Sequence, residues 1–205
     1  MSSTLNPSQV FQHAFAEHIA VIQATSAQQP VLERIAGEMT RAILGGKKVL
    51  WCGNGGSAAD SQHMAAELVG RFRRERRGLP SIALTTDTSI LTALSNDYGY
   101  ESVFQRQVEA LCVKGDVVVG LSTSGNSKNV CSALEAANRI GAFTVAFTGK
   151  GGGNIAGIAA ATLRIPSTDT ARIQEGHILC GHMLCDWVEL SVCEHDLAVE
   201  QSTTR

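Results

Sequence analysis

A loop rich in hydroxyl groups occupies residues 122–127, between an apolar run and a helical pattern. Its sequence is Ser-Thr-Ser-Gly-Asn-Ser, and the β-branched run 117–121 precedes it directly. Such a run is typical of a strand buried on both faces of a parallel sheet. Ligands bind at the carboxyl ends of these strands, where the free N–H groups of a following helix favour an anion. Ser127 alone would suffice as a helix N-cap, so the additional hydroxyls predict a site for a phosphate monoester.

A glycine-rich loop at residues 53–58 follows the first predicted strand, Lys48–Cys52. It matches the dinucleotide pattern G-x-G-x-x-A, but no acidic residue ends the next strand, and Asp87 lies about thirty residues on instead of about twenty. The glycines therefore favour close approach of the backbone, including Gly55, to a smaller ligand. Asn54 and Ser57 offer side-chain hydrogen bonds to it.

His63 and Glu67 lie four residues apart in the helical pattern after this loop, on one face of the helix. Two such side chains can share a metal, or act as a base and its orienting group. The more common alternative is a surface hydrogen bond. Beyond them, residues 71–77 contain five arginines, which we interpret as a solvated helix end. Steering of an anionic substrate is the second interpretation, and nucleic-acid binding the third.

The elements that must position these residues alternate between strand and helix through the chain. This alternation predicts an α/β fold with a doubly wound, five-stranded parallel sheet. Helix-period apolar residues at 6–44, broken near Pro30, predict an N-terminal helical pair. We divide the chain into a helical extension for oligomerisation (1–46), the α/β domain (47–197) and a flexible tail (198–205). The helical pair needs a surface to cover, and the sequence allows either its own sheet or a partner subunit. The pair carries an apolar stripe that favours an interface between subunits: Phe11, Phe15, Ile19 and Ile22.

The composition favours a soluble, unprocessed protein in a reducing cytoplasm. The net charge of −2 gives no global reason to expect nucleic acid or an acidic membrane surface, and no stretch approaches eighteen apolar residues. The six cysteines have no C-x-x-C pair and no framework spacing.

The motifs LWCGNGGSAAD, LSTSGNS and ARIQEGH occur in this order, and with them the chain resembles the sugar isomerase (SIS) family over almost its whole length. Within that family it resembles the phosphoheptose isomerases. The resemblance implies conversion of sedoheptulose 7-phosphate to D-glycero-D-manno-heptose 7-phosphate, the first step of ADP-heptose and lipopolysaccharide core biosynthesis. It also implies a homotetramer that acts on a small sugar phosphate and binds neither membrane nor nucleic acid directly.

The same resemblance implies site residues. The phosphate would be held by Ser122, Thr123, Ser124 and Ser127, and the rest of the substrate by Asn54, Gly55, Ser57, Glu67, Asp97 and Gln174. One zinc ion per site would be bound by His63, Glu67, Gln174 and His182. Glu67 and His182 would form the acid/base pair, with Glu67 favoured as the base. Ala171 departs from the family, since some members carry an acidic residue there.

The spacing of two implied ligands sets a geometric condition. Gln174 and His182 are eight residues apart, which is about 12 Å of rise along one helix. Gln174 must therefore lie at or before the helix start, stretch along it, or combine with ligands of another subunit. From the residues alone, His177 could ligate in place of His182.

Two other functions remain open from the sequence. A close relative within the family binds the replication initiator DnaA without catalysis, but it lacks counterparts of Glu67 and His182, which this chain keeps. A sugar-phosphate sensing domain is the other alternative, and no helix-turn-helix segment accompanies it here. The enzyme is our preferred interpretation.

Overall fold

The structure is a computed structural model, and it describes residues 6–203. Its strands form one five-stranded sheet in the order β2-β1-β3-β4-β5, and every neighbouring pair is parallel. The strands are β1 Val49–Gly53, β2 Ser81–Ala83, β3 Val117–Leu121, β4 Phe143–Thr148 and β5 Ala161–Arg164. The expected α/β fold with a five-stranded parallel sheet is thus confirmed.

Eight α-helices accompany the sheet in the described part of the chain: α1 Pro7–Thr25, α2 Gln29–Leu44, α3 Gly56–Val69, α4 Thr88–Tyr98, α5 Val103–Leu111, α6 Lys128–Ile140, α7 Ile155–Ile158 and α8 Thr170–Thr203. A 3-10 turn, Ser26–Gln28, separates α1 from α2 at the predicted break. Helix α8 continues through 198–203, most of the segment assigned to a tail, and the last two residues lie outside the described range.

The sheet is covered on both faces, as double winding requires. Successive residues of a strand point to opposite faces, and Val49 and Trp51 accordingly belong to one buried cluster while Leu50 and Cys52 belong to the other. The first cluster is completed by α2, α3 and α8, and the second by α5 and α6. Burial on both faces explains why the strands read as continuous apolar runs. Among residues 6–203, no helix is both long and apolar enough to span a membrane.

The arginine-rich residues 71–77 do not form the helix end that we expected. Helix α3 ends at Val69, and the segment continues without regular secondary structure to β2. Arg76 is almost completely buried, with 3% of its side chain exposed, beside the buried carboxylate of Glu189. The five arginines predicted a segment exposed to water. Instead, the buried Glu189, more than a hundred residues further along the chain, holds this segment in place.

His177 on α8 is buried with an incomplete set of hydrogen bonds. It is 1% exposed, and its Nε2 lies 3.2 Å from the backbone oxygen of Thr148, while no described residue pairs with its Nδ1. Burial lowers the pKa of His177 to about 4, and the bond to Thr148 opposes that shift. The ring is therefore neutral in the folded chain near neutral pH.

We expect His177 to make the fold sensitive to acid. Its pKa falls from 6.5 in the unfolded chain to about 4 in the folded chain, so the unfolded state binds the proton first as the pH drops. Stability is then fully present above pH ~6.5 and falls by about 3 kcal/mol as the pH approaches 4. Urea unfolding between pH 8 and pH 4 should show a flatter pH profile for His177→Gln than for the wild type. The exposed His13 provides the control, since His13→Gln should keep the wild-type slope. An unchanged slope in His177→Gln would rule out this role.

Candidate functional site

The two loops singled out in the sequence lie side by side at the carboxyl edge of the sheet. Gly53, the last residue of β1, pairs with Leu121, the last residue of β3. The order of strands reverses between β1 and β3, because β2 flanks β1 on one side and β3 flanks it on the other. Ligands of open α/β sheets bind at such a switch point. The glycine-rich loop and the hydroxyl-rich loop therefore form the two sides of a candidate site.

Three hydroxyls converge in the hydroxyl-rich loop before α6. Ser122 Oγ lies 2.9 Å from Ser127 Oγ and 3.5 Å from Ser124 Oγ. Ser127 occupies the N-cap position of α6, but its side chain makes no capping hydrogen bond. The first N–H groups of a helix have no acceptor within it. Hydroxyls and N–H donors at one helix N-terminus form an anion-binding arrangement.

The glycine-rich turn 149–153 packs against this loop. Its backbone bonds the hydroxyl-rich loop at 3.0 Å, from Gly149 N–H to the oxygen of Thr123. Gly125 has a positive φ of 70°, and a Cβ on it would stand 2.1 Å from the oxygen of Gly152. Only glycine at position 125 permits this close approach of two backbones.

The side chain of Asn54 crosses the switch point. Its amide exchanges two hydrogen bonds of 2.9 Å with the amide of Asn129 at the start of α6, and its oxygen also accepts one of 2.9 Å from the Tyr100 hydroxyl. Asp87 caps α4 by accepting from the N–H of Ile90. The acid needed for a dinucleotide site is thus committed to a structural role, which agrees with a smaller ligand.

The other predicted substrate residues include Gly55, Ser57 and Asp97, which lie on the elements that follow β1 and β2. Ser57 is buried in the first turn of α3, after Gly55, which has a positive φ of 57°. Asp97 is exposed on α4 and accepts a hydrogen bond from Asn96. Within residues 6–203, no hydrogen bond joins Asp97 to another predicted site residue.

His63, Glu67 and His182 form a compact cluster between α3 and α8. His63 Nε2 lies 2.9 Å from a carboxylate oxygen of Glu67 and 3.4 Å from His182 Nε2. One donor atom from each residue lies within 4.8 Å of the other two. The close approach of α3 and α8 depends on Gly181, whose missing side chain leaves room for Met64. The helical spacing thus placed His63 and Glu67 correctly on one face, and α8 adds the third member.

The donor atoms of this cluster fit a metal ion. Two imidazole nitrogens and a carboxylate oxygen are a common ligand set for catalytic zinc, which retains an open position. Tetrahedral ligands about 2.1 Å from one ion would stand roughly 3.4 Å apart, which agrees with the spacing of the two histidine nitrogens. Burial and then the charge of His63 lower the pKa of His182, against an opposing effect of Glu67. The neutral, metal-binding form of His182 is therefore favoured.

Gln174 and His177 do not join this cluster through any described hydrogen bond. The Gln174 amide packs on the first turn of α3, where a Cβ at Gly56 would lie 2.4 Å from its nitrogen. His177 points into the core beside Phe147, with ring centroids 5.6 Å apart. Of the two histidines left open by the sequence, His182 is the one that meets His63.

Several residues at the site were not predicted. Asn129 and Tyr100 orient Asn54, and Phe72 stacks on the His182 ring with centroids 5.4 Å apart. Asp60, one turn before His63, has a buried oxygen with no partner among the described residues, and burial raises its pKa. Only Phe72 stood out in the sequence, as the one aromatic residue in the arginine run.

Comparisons with known proteins identify the family of this chain. A family model described as SIS domain matches residues 11–149. The phosphoheptose isomerase of Aquifex aeolicus is 56% identical over 185 residues, which cover 90% of this chain and 95% of that protein. The solved phosphoheptose isomerase GmhA of Neisseria gonorrhoeae superposes with a TM-score of 0.85 at 43% identity, covering 90% of this chain and 99% of that one. The phosphoheptose isomerase of Francisella tularensis gives 0.88 at 35% identity, covering 91% and 100%.

Proposed function

This chain belongs to the SIS-domain family and, within it, to the phosphoheptose isomerases, and on that premise we propose that it converts sedoheptulose 7-phosphate to D-glycero-D-manno-heptose 7-phosphate. The observation that carries the proposal is the pairing of a hydroxyl-rich anion site with the cluster of His63, Glu67 and His182. The hydroxyl-rich site would bind the phosphate, and the cluster would supply the acid and the base that act on the carbonyl end of the sugar. This reaction would be the first step of ADP-heptose and lipopolysaccharide core biosynthesis.

The hydroxyl-rich loop is the proposed phosphate site. Ser122, Ser124 and Ser127 present converging hydroxyls, and Thr123 lies between the first two in the loop that connects β3 to α6. Hydroxyls and helix N–H groups bind a phosphate through many short donors without a fixed positive charge. Asn54, Gly55, Ser57 and Asp97 are the proposed contacts to the sugar, together with Gln174 of α8, whose amide packs on the first turn of α3.

Glu67 is the proposed base and His182 the proposed acid. Isomerisation through a cis-enediol moves a proton between C1 and C2, so a base must reach the carbon-bound proton and an acid the carbonyl oxygen. Glu67 has two carboxylate oxygens, and only one of them lies at 2.9 Å from His63. The other remains available as a proton acceptor. Nε2 of His182 points into the cluster and is the atom that would carry the proton of the acid.

The proposed cofactor is one zinc ion per site. His63, Glu67 and His182 would hold it, with Gln174 as the fourth ligand that the resemblance implies. When bound, zinc supplies a Lewis acid that polarises carbonyl and hydroxyl oxygens. Nε2 of His182 cannot bind zinc and donate a proton at the same moment. The zinc content of His182→Ala separates these two roles.

A turnover assay with sedoheptulose 7-phosphate tests this function. We expect activity that is lost on chelation and returns with zinc. A pull-down with DnaA, run in parallel, addresses the non-catalytic alternative. Specific DnaA binding without any turnover of zinc-loaded protein would overturn the proposed function.

We also propose that the chain acts as a homotetramer in the cytoplasm, and that α1 of the predicted extension 1–46 lies in the interface, since α2 packs on the chain's own sheet. Phe11, Phe15 and Ile19 of α1 are exposed by 63%, 70% and 54% in the single chain. Apolar patches of this kind mark interfaces, and closed homo-oligomers are the common solution. The six cysteines are all free thiols, which supports a reducing compartment. A monomer by light scattering would overturn the assembly.

Hybrid oligomers test how the proposed site is divided between chains. Glu67 and His182 meet within one chain, so mixing Glu67→Gln and His182→Ala subunits should restore no activity. Each site in such a hybrid lacks one of the two residues. Native mass spectrometry of the mixture verifies that the subunits have exchanged. Recovery of about a quarter of the activity, the share expected for sites assembled from two chains, would contradict the single-chain arrangement.

A further inference from the structure

Helix α8 presents three polar residues along one stripe, spaced as i, i+4 and i+7. These are His182, Asp186 and Glu189, and this spacing places them on the same side of a helix. The segment 71–77, here called the arginine arm, runs along this stripe. Each of the three residues contacts it. The arm therefore continues from the end of α3 back toward the cluster.

Glu189 anchors the arm through its backbone. The carboxylate is fully buried and accepts hydrogen bonds from the N–H groups of Phe72, Arg73 and Arg74, at 2.8, 2.8 and 2.9 Å. Burial acts to raise the pKa of Glu189, but these donors and Arg76 lower it overall. The carboxylate is thus charged and fully engaged. Asp186 adds bonds to the guanidinium groups of Arg73 at 3.1 Å and Arg74 at 2.7 Å.

Arg76 connects the arm to the end of α3. Its guanidinium donates to the backbone oxygens of Glu67, Leu68 and Gly70, at 2.9, 2.8 and 2.9 Å. These are carbonyls of the last turn, which lack partners within the helix. Arg76 Nε also lies 3.3 Å from Glu189. The turn that carries Glu67 is thereby joined to α8.

Phe72 brings the arm to the cluster itself. Its ring is nearly parallel to the imidazole of His182, at an interplanar angle of 20° and a centroid distance of 5.4 Å. The guanidinium of Arg73 lies 5.0 Å from the centroid of the same ring. A stacked ring restricts rotation of the imidazole, whose Nε2 must face His63.

We propose that the arginine arm is a positioning element for the reaction, in which Phe72 fixes the orientation of the His182 ring and Glu189 fixes the arm. This inference rests on the proposed function of His182. Phe72 touches no reacting atom, so it is a positioning residue. Arg73 and Arg74 pair with Asp186 while their side chains stay partly exposed, and the buried Arg76 lies beside Glu189, so the arm is tied to α8 through these carboxylates.

The test compares Phe72→Leu with Phe72→Tyr. Leu fills the space but cannot stack, and Tyr restores the aromatic face. We expect kcat of Phe72→Leu to fall about tenfold with KM changed less than twofold, as for residues that orient ligands from outside the site. Phe72→Tyr should recover kcat. Asp186→Asn, which loosens the arm without removing the buried Glu189, should lower kcat in the same direction. Glu75→Gln is the control, because Glu75 is 90% exposed in the same segment.

A second readout separates this inference from the proposed function. Nitrogen-15 NMR of the histidine rings, or a crystal structure of Phe72→Leu, reports the orientation of His182 without any turnover. A reoriented or mobile His182 ring together with a lower kcat supports the proposal. An unchanged ring in Phe72→Leu, or a reoriented ring with unchanged kcat, overturns it. Absence of turnover by the wild type would reject the proposed function, while an unchanged ring would still reject positioning independently.

Discussion

Glu67→Gln is expected to abolish turnover of sedoheptulose 7-phosphate while the fold is kept. A positioned general base contributes about 10²- to 10⁴-fold to a rate, and Gln cannot accept the proton. The side chain is similar in shape and partly exposed, with 21% of its surface accessible, so packing changes little. We therefore expect kcat to fall by about 10³-fold or more, measured by steady-state kinetics at saturating zinc.

Two measurements make this result interpretable. Circular dichroism and zinc content report whether the variant keeps its fold and its metal, and zinc retained without turnover assigns the loss to the base. Glu75→Gln is the matched control, because it makes the same chemical change on an exposed side chain of the neighbouring segment. Near-normal activity of Glu67→Gln with zinc present would refute its role as the base.

Gly125→Ala is expected to disable the phosphate site. Position 125 has a φ of 70°, and the added Cβ would stand 2.1 Å from the oxygen of Gly152. The left-handed conformation destabilises alanine by about 1–2 kcal/mol. The contact of its Cβ with the backbone destabilises the folded chain by about 1–3 kcal/mol more. The hydroxyl-rich loop must shift to relieve the contact. We expect a lower melting temperature and KM for the sugar phosphate raised at least about tenfold.

Gly151→Ala provides the control for this loop. A Cβ at Gly151 meets no atom within 4 Å, although the residue belongs to the same glycine-rich turn. It should leave KM and melting temperature close to those of the wild type. If Gly125→Ala also kept the wild-type KM, the hydroxyl-rich loop would not be the phosphate site.

Local patterns in the sequence were enough to predict the sheet and its two loops. Short apolar runs marked β1 and β3 because both strands are buried on both faces. The i, i+4 spacing likewise placed His63 and Glu67 together, because helix geometry fixes that relation. The first predicted strand, Lys48–Cys52, differs from the observed β1, Val49–Gly53, by one residue at each end.

Contacts between distant residues could not be predicted in the same way. His182 is 119 residues from His63, and Glu189 is 117 residues from the backbone of Phe72 that it anchors. The arginine run was read as solvated because nothing nearby in sequence signals a buried partner. The position of Gln174 over Gly56 likewise depends on how α8 packs on α3. Such packing is set by the whole core.

The most direct test of the proposed chemistry is an NMR measurement of wild-type turnover in D₂O. Zinc-loaded protein would be incubated with sedoheptulose 7-phosphate, and the product followed by proton and carbon spectra. An enediol intermediate with Glu67 as base predicts an aldose 7-phosphate that carries solvent deuterium at C2, because a carboxylic acid exchanges its proton with water. No aldose product, or an aldose that retains only the original C1 proton at C2, would contradict this mechanism.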